Sequence, residues 1–146
     1  NKMRVVIQRT LESSVEVDNK IVGQIKNGLT LLVGFGKNDS SKEIDYMVNK
    51  IINLRIFNDE NNIMNKSLLE VGGEVLSISQ FTLYADTSRG RRPSYFNAHS
   101  AASYLYDEFN EKLKKHVNVE TGIFGADMKV SLINDGPVTI ILETGD

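Results

Sequence analysis

The chain has 146 residues, 40% hydrophobic and 25% charged, with 17 Lys and Arg against 19 Asp and Glu for a formal charge of −2. That length suits one folded domain, residues 1–146, large enough to bury a core without staples. No cysteine is present, which excludes disulfides, thiolate metal sites and a cysteine nucleophile, and the slight acidity excludes an evenly basic nucleic-acid coat while allowing a local basic patch.

The first third reads as strands. Met3 to Arg9 is rich in β-branched residues, Ser14 to Asp18 alternates with period two, and turn signals at Asp18-Asn19-Lys20 and Lys26-Asn27-Gly28 flank a strand from Ile21 to Ile25. Leu29 to Phe35 follows as an apolar strand. The links are too short for crossover helices, so this meander is expected to be antiparallel. The apolar stretch from Gly28 to Gly36 falls well short of the roughly 20 residues of a membrane span, and the front of the chain lacks the pattern of a secretory signal.

The period then changes. Ser40-Ser41-Lys42-Glu43 is a capping-box pattern, and behind it Ile44, Met47, Val48, Ile51 and Leu54 recur at helical spacing, which predicts a helix over about 41–55. Asn58 to Asn62 is a polar loop, and Val75 to Tyr84 a strong strand. A second helix fits roughly 100–115, with Ala102, Leu105, Phe109 and Leu113 on one face. Met128 to Ile133 and Val138 to Leu142 read as two strands joined across Asn134-Asp135-Gly136-Pro137. The fold class is α+β, a curled antiparallel sheet or barrel with two packed helices.

Three segments could carry chemistry. In Ser79-Gln80-Phe81-Thr82, strand alternation puts Ser79 and Phe81 on one face and Gln80 and Thr82 on the other; the polar groups could align a hydrolysable bond or a water, or simply decorate an amphipathic strand. In Gly136-Pro137, a cis bond would point two carbonyls the same way and grip a ligand, but only about 5–6% of X–Pro bonds are cis, so spacing alone favours trans. In Arg89-Gly90-Arg91-Arg92-Pro93-Ser94, three arginines could hold phosphate oxygens or could be a solvated loop. His99 and His116 have no carboxylate or second histidine at metal-ligand spacing and no evident serine partner, so neither a metal site nor ordinary general-base hydrolysis is expected.

Taken in order, these segments resemble the D-aminoacyl-tRNA deacylase family, also called D-tyrosyl-tRNA deacylase. The resemblance runs from Met3-Arg4-Val5-Val6-Ile7-Gln8-Arg9 through Arg55 to Glu60, Ser79-Gln80-Phe81-Thr82-Leu83-Tyr84-Ala85-Asp86, Gly90 to Ser94 and Thr121 to Met128, and closes with Asn134-Asp135-Gly136-Pro137-Val138-Thr139. It implies a cytoplasmic homodimer that hydrolyses the ester of D-aminoacyl-tRNA, with glycyl-tRNA as a further substrate, needing no cofactor or metal and having no membrane or DNA partner. It implies that Gly136-Pro137 is cis and enters the partner's site, there holding the substrate's amino group and blocking an L side chain. Arg9 would fix that segment. Ser79, Gln80, Phe81 and Thr82 would surround the ester, with Ala102 and Phe124 lining an adenosine pocket. The slight net acidity confines tRNA contact to a patch, for which Arg89, Arg91 and Arg92 are the candidates to meet phosphates.

The resemblance leaves two mechanisms open: Thr82 as a nucleophile, or the ribose 2′-hydroxyl positioning water, which the scarcity of acid/base residues favours. The other functional classes are a non-catalytic tRNA-end binding module and an RNA-independent esterase or amidase. Between Ser94 and Leu105 the chain is about two residues shorter than the family pattern, and Tyr84 stands where a small residue is common.

Overall fold

A computed structural model describes residues 2–145. Strand β1 (Arg4–Val17) is the spine of the main sheet. It buries Val5, Ile7 and Val15 on alternating positions, as a β-branched strand of period two should. Asp18 and Asn19, both at positive φ (51° and 63°), turn the chain into β2 (Lys20–Ile25). Asp and Asn tolerate that left-handed pair, and the resulting twist suits a tight hairpin. β2 lies beside residues 13–17 of β1, and β3 (Gly28–Gly34) continues along residues 4–10, so the two form one interrupted antiparallel return.

The crossings that follow change the direction of pairing. Helix α1 (Ser41–Asn53), the small hairpin of β4 (Phe57–Asn58) and β5 (Met64–Lys66), and a single helical turn α2 (Leu68–Val71) carry the chain back to the start of β3. β6 (Glu74–Ser79) therefore runs parallel to β3. Helix α3 (Ala102–Lys114) makes a second crossing, so β7 (Val119–Thr121) runs parallel to β6. The sheet is thus mixed, nearly closed and curled, where strand reading alone predicted antiparallel pairing throughout. The short-link argument held for the meander but could not speak for strands joined through helices. Among the described residues the α-helices number three, since α2 escaped the sequence reading although Ser67 and Glu70 repeat the capping box of Ser40 and Glu43.

Helices α1 and α3 lay one face each on the sheet. Ile44, Met47 and Ile51 from α1 meet Leu105, Phe109 and Leu113 from α3 over Val5, Ile7, Leu29 and Leu31, all at 1% exposure or less. Val15, Ile25, Leu76 and Ile78 form a smaller cluster with Met128 packed against it.

Met3 to Arg9 and Ser14 to Asp18, expected as separate strands, are one continuous strand, β1, and two further expectations need correction. The strand predicted over Val75 to Tyr84 ends at Ser79, and Phe81–Tyr84 coil into a short 3-10 turn. The last ladder bond is Gln80 N–H to Val33 O at 2.8 Å. Tyr84 then swings inward, 4% exposed, its hydroxyl donating to the carbonyl of Lys2, with its ring against Gly34, where an added Cβ would lie 3.0 Å from a ring carbon. Tyr84 is therefore part of the core.

The two strands expected near the end are one, β8 (Lys129–Glu143), antiparallel to β1 along its whole length. Asn134-Asp135-Gly136-Pro137 is not a hairpin turn. Gln8 pairs Thr139 and Thr10 pairs Asn134, so residues 135–138 bulge out opposite the single residue Arg9. Asn134 closes the bulge, accepting from Val138 N–H at 2.7 Å and donating to Thr139 Oγ1 at 2.9 Å. The Gly136-Pro137 bond is cis, as the resemblance implied and base rates alone did not.

Candidate active site

Strands β3, β6 and β7 are mutually parallel, and all end on the same side of the sheet. A crevice outside the carboxyl ends of parallel strands is where α/β-type sheets take ligands. Here it holds a cavity of about 500 Å³. Its walls come from three places: Ile78 to Phe81 leaving β6, Ala98 to Ser103 entering α3, and Phe124, Gly125, Ala126 and Met128 after β7 with Val130 at the start of β8. The lining is largely apolar, with Ser79, Gln80, His99, Ser100 and Ser103 as the polar groups.

Five of the residues singled out in the sequence meet here: Ser79, Gln80, Phe81, Ala102 and Phe124. Ala102 keeps its place on the wall although its loop is short. Thr82 does not line the cavity. It sits exposed on the 3-10 turn, where its Oγ1 accepts a hydrogen bond from Gln80 Nε2. Because the turn replaces the expected strand, the even alternation of Ser79, Gln80, Phe81 and Thr82 between two faces is lost.

Arg9, Gly136 and Pro137 are not among the cavity's lining residues. Arg9 is 6% exposed, and its guanidinium has three acceptors: Nε to Asp135 O at 2.9 Å, and one terminal nitrogen to Ile56 O at 2.9 Å and Asn58 Oδ1 at 3.2 Å. The Asp135 carboxylate stands 3.7 Å from Nε. One planar fork thus ties the bulge to the loop after α1, while Gly136 and Pro137 remain exposed. Arg89, Arg91 and Arg92 are exposed on the loop after Tyr84.

Sequence reasoning set His99 aside and missed its neighbour Asp39. No spacing rule links them, because the loop before α3 is brought to the end of β3 by main-chain bonds, His99 N–H donating to Phe35 O at 3.0 Å and Lys37 N–H to Asn97 O at 3.1 Å. The ring's Nδ1 accepts from Ala101 N–H at 2.9 Å, so a neutral His99 carries its proton on Nε2. Asp39 is 5% exposed; its Oδ2 accepts from Gly36 N–H at 2.5 Å and its Oδ1 is buried without a partner among the described residues. Burial pushes its carboxyl up to about 6, opposed by the Gly36 amide, helped by the charge of Glu43, and opposed less strongly by the Met3 amide and by His99.

The folded chain keeps the Asp39 proton through a range, from about pH 4 to 6, where the unfolded chain has lost it, so this group's contribution falls as pH rises through that range. Asp39→Asn should therefore gain on the unaltered chain by about 2 kcal/mol between pH 4.5 and pH 7, read from urea midpoints. A difference that stays flat with pH would refute the assignment.

Among the described residues, no three His, Cys, Asp or Glu side chains stand together as a metal site. No described helix is long and apolar enough to cross a membrane. The model of the D-Tyr-tRNA(Tyr) deacylase family matches residues 6–143. The chain belongs to that family. Its activity is hydrolysis of D-aminoacyl-tRNA, which makes it an aminoacyl-ester hydrolase acting on tRNA. Among solved structures, one named c-Myc DNA Unwinding Element Binding Protein is 38% identical, with a TM-score of 0.92 over 98% of this chain and 99% of that one. Another, described as a probable eukaryotic D-amino acid tRNA deacylase, is 18% identical and shares the fold, with a TM-score of 0.85 over 98% of this chain and 100% of that one.

Proposed function

We propose that the cavity at the carboxyl ends of β3, β6 and β7 receives the terminal adenosine and aminoacyl ester of D-aminoacyl-tRNA, and that two copies of the chain complete each site. The observation that carries this reading is the division of the family motifs. Ser79, Gln80, Phe81, Ala102 and Phe124 share one cavity, while Gly136 and Pro137, held from behind by Arg9, project elsewhere on the same chain. A second copy would bring its Gly136-Pro137 carbonyls to the substrate's amino group and close the space an L side chain needs. Glycine has no side chain to exclude, so glycyl-tRNA belongs among the substrates of such a clamp.

In the ester step, water oxygen bonds to the acyl carbon, the bond to the ribose 3′-oxygen breaks, and the water's proton ends on that oxygen. The developing oxyanion needs N–H donors. Gln80 N–H is committed to Val33 O, which leaves Phe81 on the cavity wall, whose amide opens the 3-10 turn and so has no partner within it. Among the described residues no base is bonded to Thr82: its hydroxyl accepts from the Gln80 amide, a donor, and a threonine nucleophile needs an acceptor for its proton. The ribose 2′-hydroxyl is then the group that orients the water.

The test compares D-Tyr-tRNA with L-Tyr-tRNA and with D-Tyr-tRNA lacking the terminal 2′-hydroxyl. Turnover is expected for the D substrate alone, with at least a roughly 100-fold loss on removing the 2′-hydroxyl, the scale of one general acid/base group. Thr82→Ala should stay within about tenfold. Abolished turnover by that variant with binding intact would establish the side-chain nucleophile instead.

A further inference from the structure

The loop between Tyr84 and α3 keeps two aromatic rings in solvent. Phe96 is 74% exposed, more than any other large apolar side chain described, and Tyr95 is 37% exposed with its ring against Phe81, centroids 4.8 Å apart at 60°. Leaving a phenyl ring in water forgoes about 2 kcal/mol of burial, so an open ring held in place calls for an occupant. Phe96 is held in place. Lys37 Nζ lies 2.8 Å over its ring, and Lys37 N–H donates to Asn97 O at 3.1 Å. The ammonium lies over one face of a ring that is otherwise largely exposed.

The same loop carries the positive charge. Thr87 to Ala98 contains three arginines and no acidic residue, in a chain whose net charge is −2. Arg89, Arg91 and Arg92 make no hydrogen bond or ion pair among the described residues. The loop is pinned by reciprocal amide bonds between Asp86 and Ser94 at 2.8 and 2.9 Å, so these charges sit on a fixed hairpin rather than a floating strand. It is continuous with the cavity at both ends, leaving through Phe81 and returning through Ala98, both of which line it. Aromatic faces interleaved with cations are how proteins hold unpaired nucleic acid: bases stack, phosphates pair, and sequence matters little.

Building on the deacylase reading above, we propose that Phe96, backed by Lys37 and flanked by Arg89, Arg91 and Arg92, is a stacking and phosphate-binding platform for the unpaired nucleotides that precede the terminal adenosine of the tRNA. The cavity takes the last nucleoside and the platform takes the strand leading to it.

The probe is a fluorescently labelled single-stranded RNA of about six nucleotides ending in CCA, its binding followed by anisotropy over a salt series. Phe96→Ala should weaken binding about 5- to 100-fold, the range for one lost base stack. Phe96→Trp should bind within about threefold of the unaltered chain, and Phe96→Leu, which keeps bulk but has no π face, should bind as weakly as the alanine variant. The double variant Arg91→Ala, Arg92→Ala should flatten the slope of log K against log salt by about 1.4, at roughly 0.7 per phosphate. Circular dichroism confirms that each variant is folded. The proposal is overturned if the unaltered chain does not bind this RNA, if Phe96→Ala binds within twofold of it, or if Phe96→Leu binds like Phe96→Trp. The deacylase reading stands or falls separately, on turnover of D-Tyr-tRNA by the unaltered chain.

Discussion

Arg9→Ala should destabilise the chain by about 3–5 kcal/mol, lowering the melting temperature by on the order of 10 °C. The side chain is buried beside the bulge of β8 and supplies donors to Asp135 O, Ile56 O and Asn58 Oδ1. Truncation leaves the Ile56 and Asp135 carbonyls without those donors, at about 1–3 kcal/mol for each buried group that water cannot reach. It also removes the only counter-charge within salt-bridge distance of the Asp135 carboxylate among the described residues. Arg9→Lys separates charge from geometry. An ammonium keeps the positive charge but cannot reach in two fixed directions as a planar fork does, so the loss should be intermediate. Under the proposed function, the lysine variant should also hydrolyse L-Tyr-tRNA better relative to D-Tyr-tRNA, because the segment carrying Gly136 and Pro137 is less well held. Thermal melts and paired turnover assays report the two effects independently; a melt within 2 kcal/mol of the unaltered chain for the alanine variant would contradict this account of Arg9.

Gly28→Ala should abolish the folded state. A Cβ at Gly28 would fall 1.8 Å from Glu74 O and 2.7 Å from Glu74 C and N. An ordinary glycine-to-alanine change at a compatible site shifts stability by less than about 1 kcal/mol; here the obstacle is main chain, which no rotamer change can move aside. Gly28 and Glu74 are the first partners of the parallel β3–β6 pair. Glu74 is also fixed by its N–H to Asn27 O at 3.0 Å and by its carboxylate, which accepts from Lys26 N–H at 3.2 Å and Asn118 Nδ2 at 2.6 Å. Separating the strands to admit one methyl group breaks this junction, at a cost above about 4 kcal/mol. The expected result is loss of near-ultraviolet circular dichroism and of dispersed amide resonances. A cooperative melt near that of the unaltered chain would show that the strands can part without unfolding.

Where a segment's structure was decided by its own side-chain period, the sequence made it legible. The alternation of β1, the turn at Asp18-Asn19, the capped stripe of α1 and the buried face of α3 all report local choices, and all are found. What depended on distant partners was hidden. Nothing local distinguishes a parallel from an antiparallel β6, because its direction is fixed by two helical crossings. The run Ser79 to Tyr84 alternates like a strand, yet coils because Tyr84 finds its place against Gly34 and the carbonyl of Lys2, 50 and 82 positions away in the chain. The bulge at Asp135 to Val138 looked like a hairpin turn because its cause, Arg9, lies on another strand. The cavity shows the same division: Ser79, Gln80 and Phe81 form a recognisable motif, whereas His99 reaches the wall through a loop docked on Phe35, for which the sequence carries no signal.

The long antiparallel partnership of β1 and β8 bears on how the protein is made. Arg4 pairs with Glu143 and Glu16 with Lys129, so the first strand of the sheet to leave the ribosome waits for the last before one of its edges is covered. Until then β1 can close only against β2 and β3, and offers its other row of amides and carbonyls to any extended chain nearby. Contacts so distant in sequence are also slow to form, since the loop must be closed before the ladder repays it. The nascent chain therefore passes through a stage, set by the order of its strands, in which its main hazard is pairing with a neighbour, and the emergence of β8 ends it.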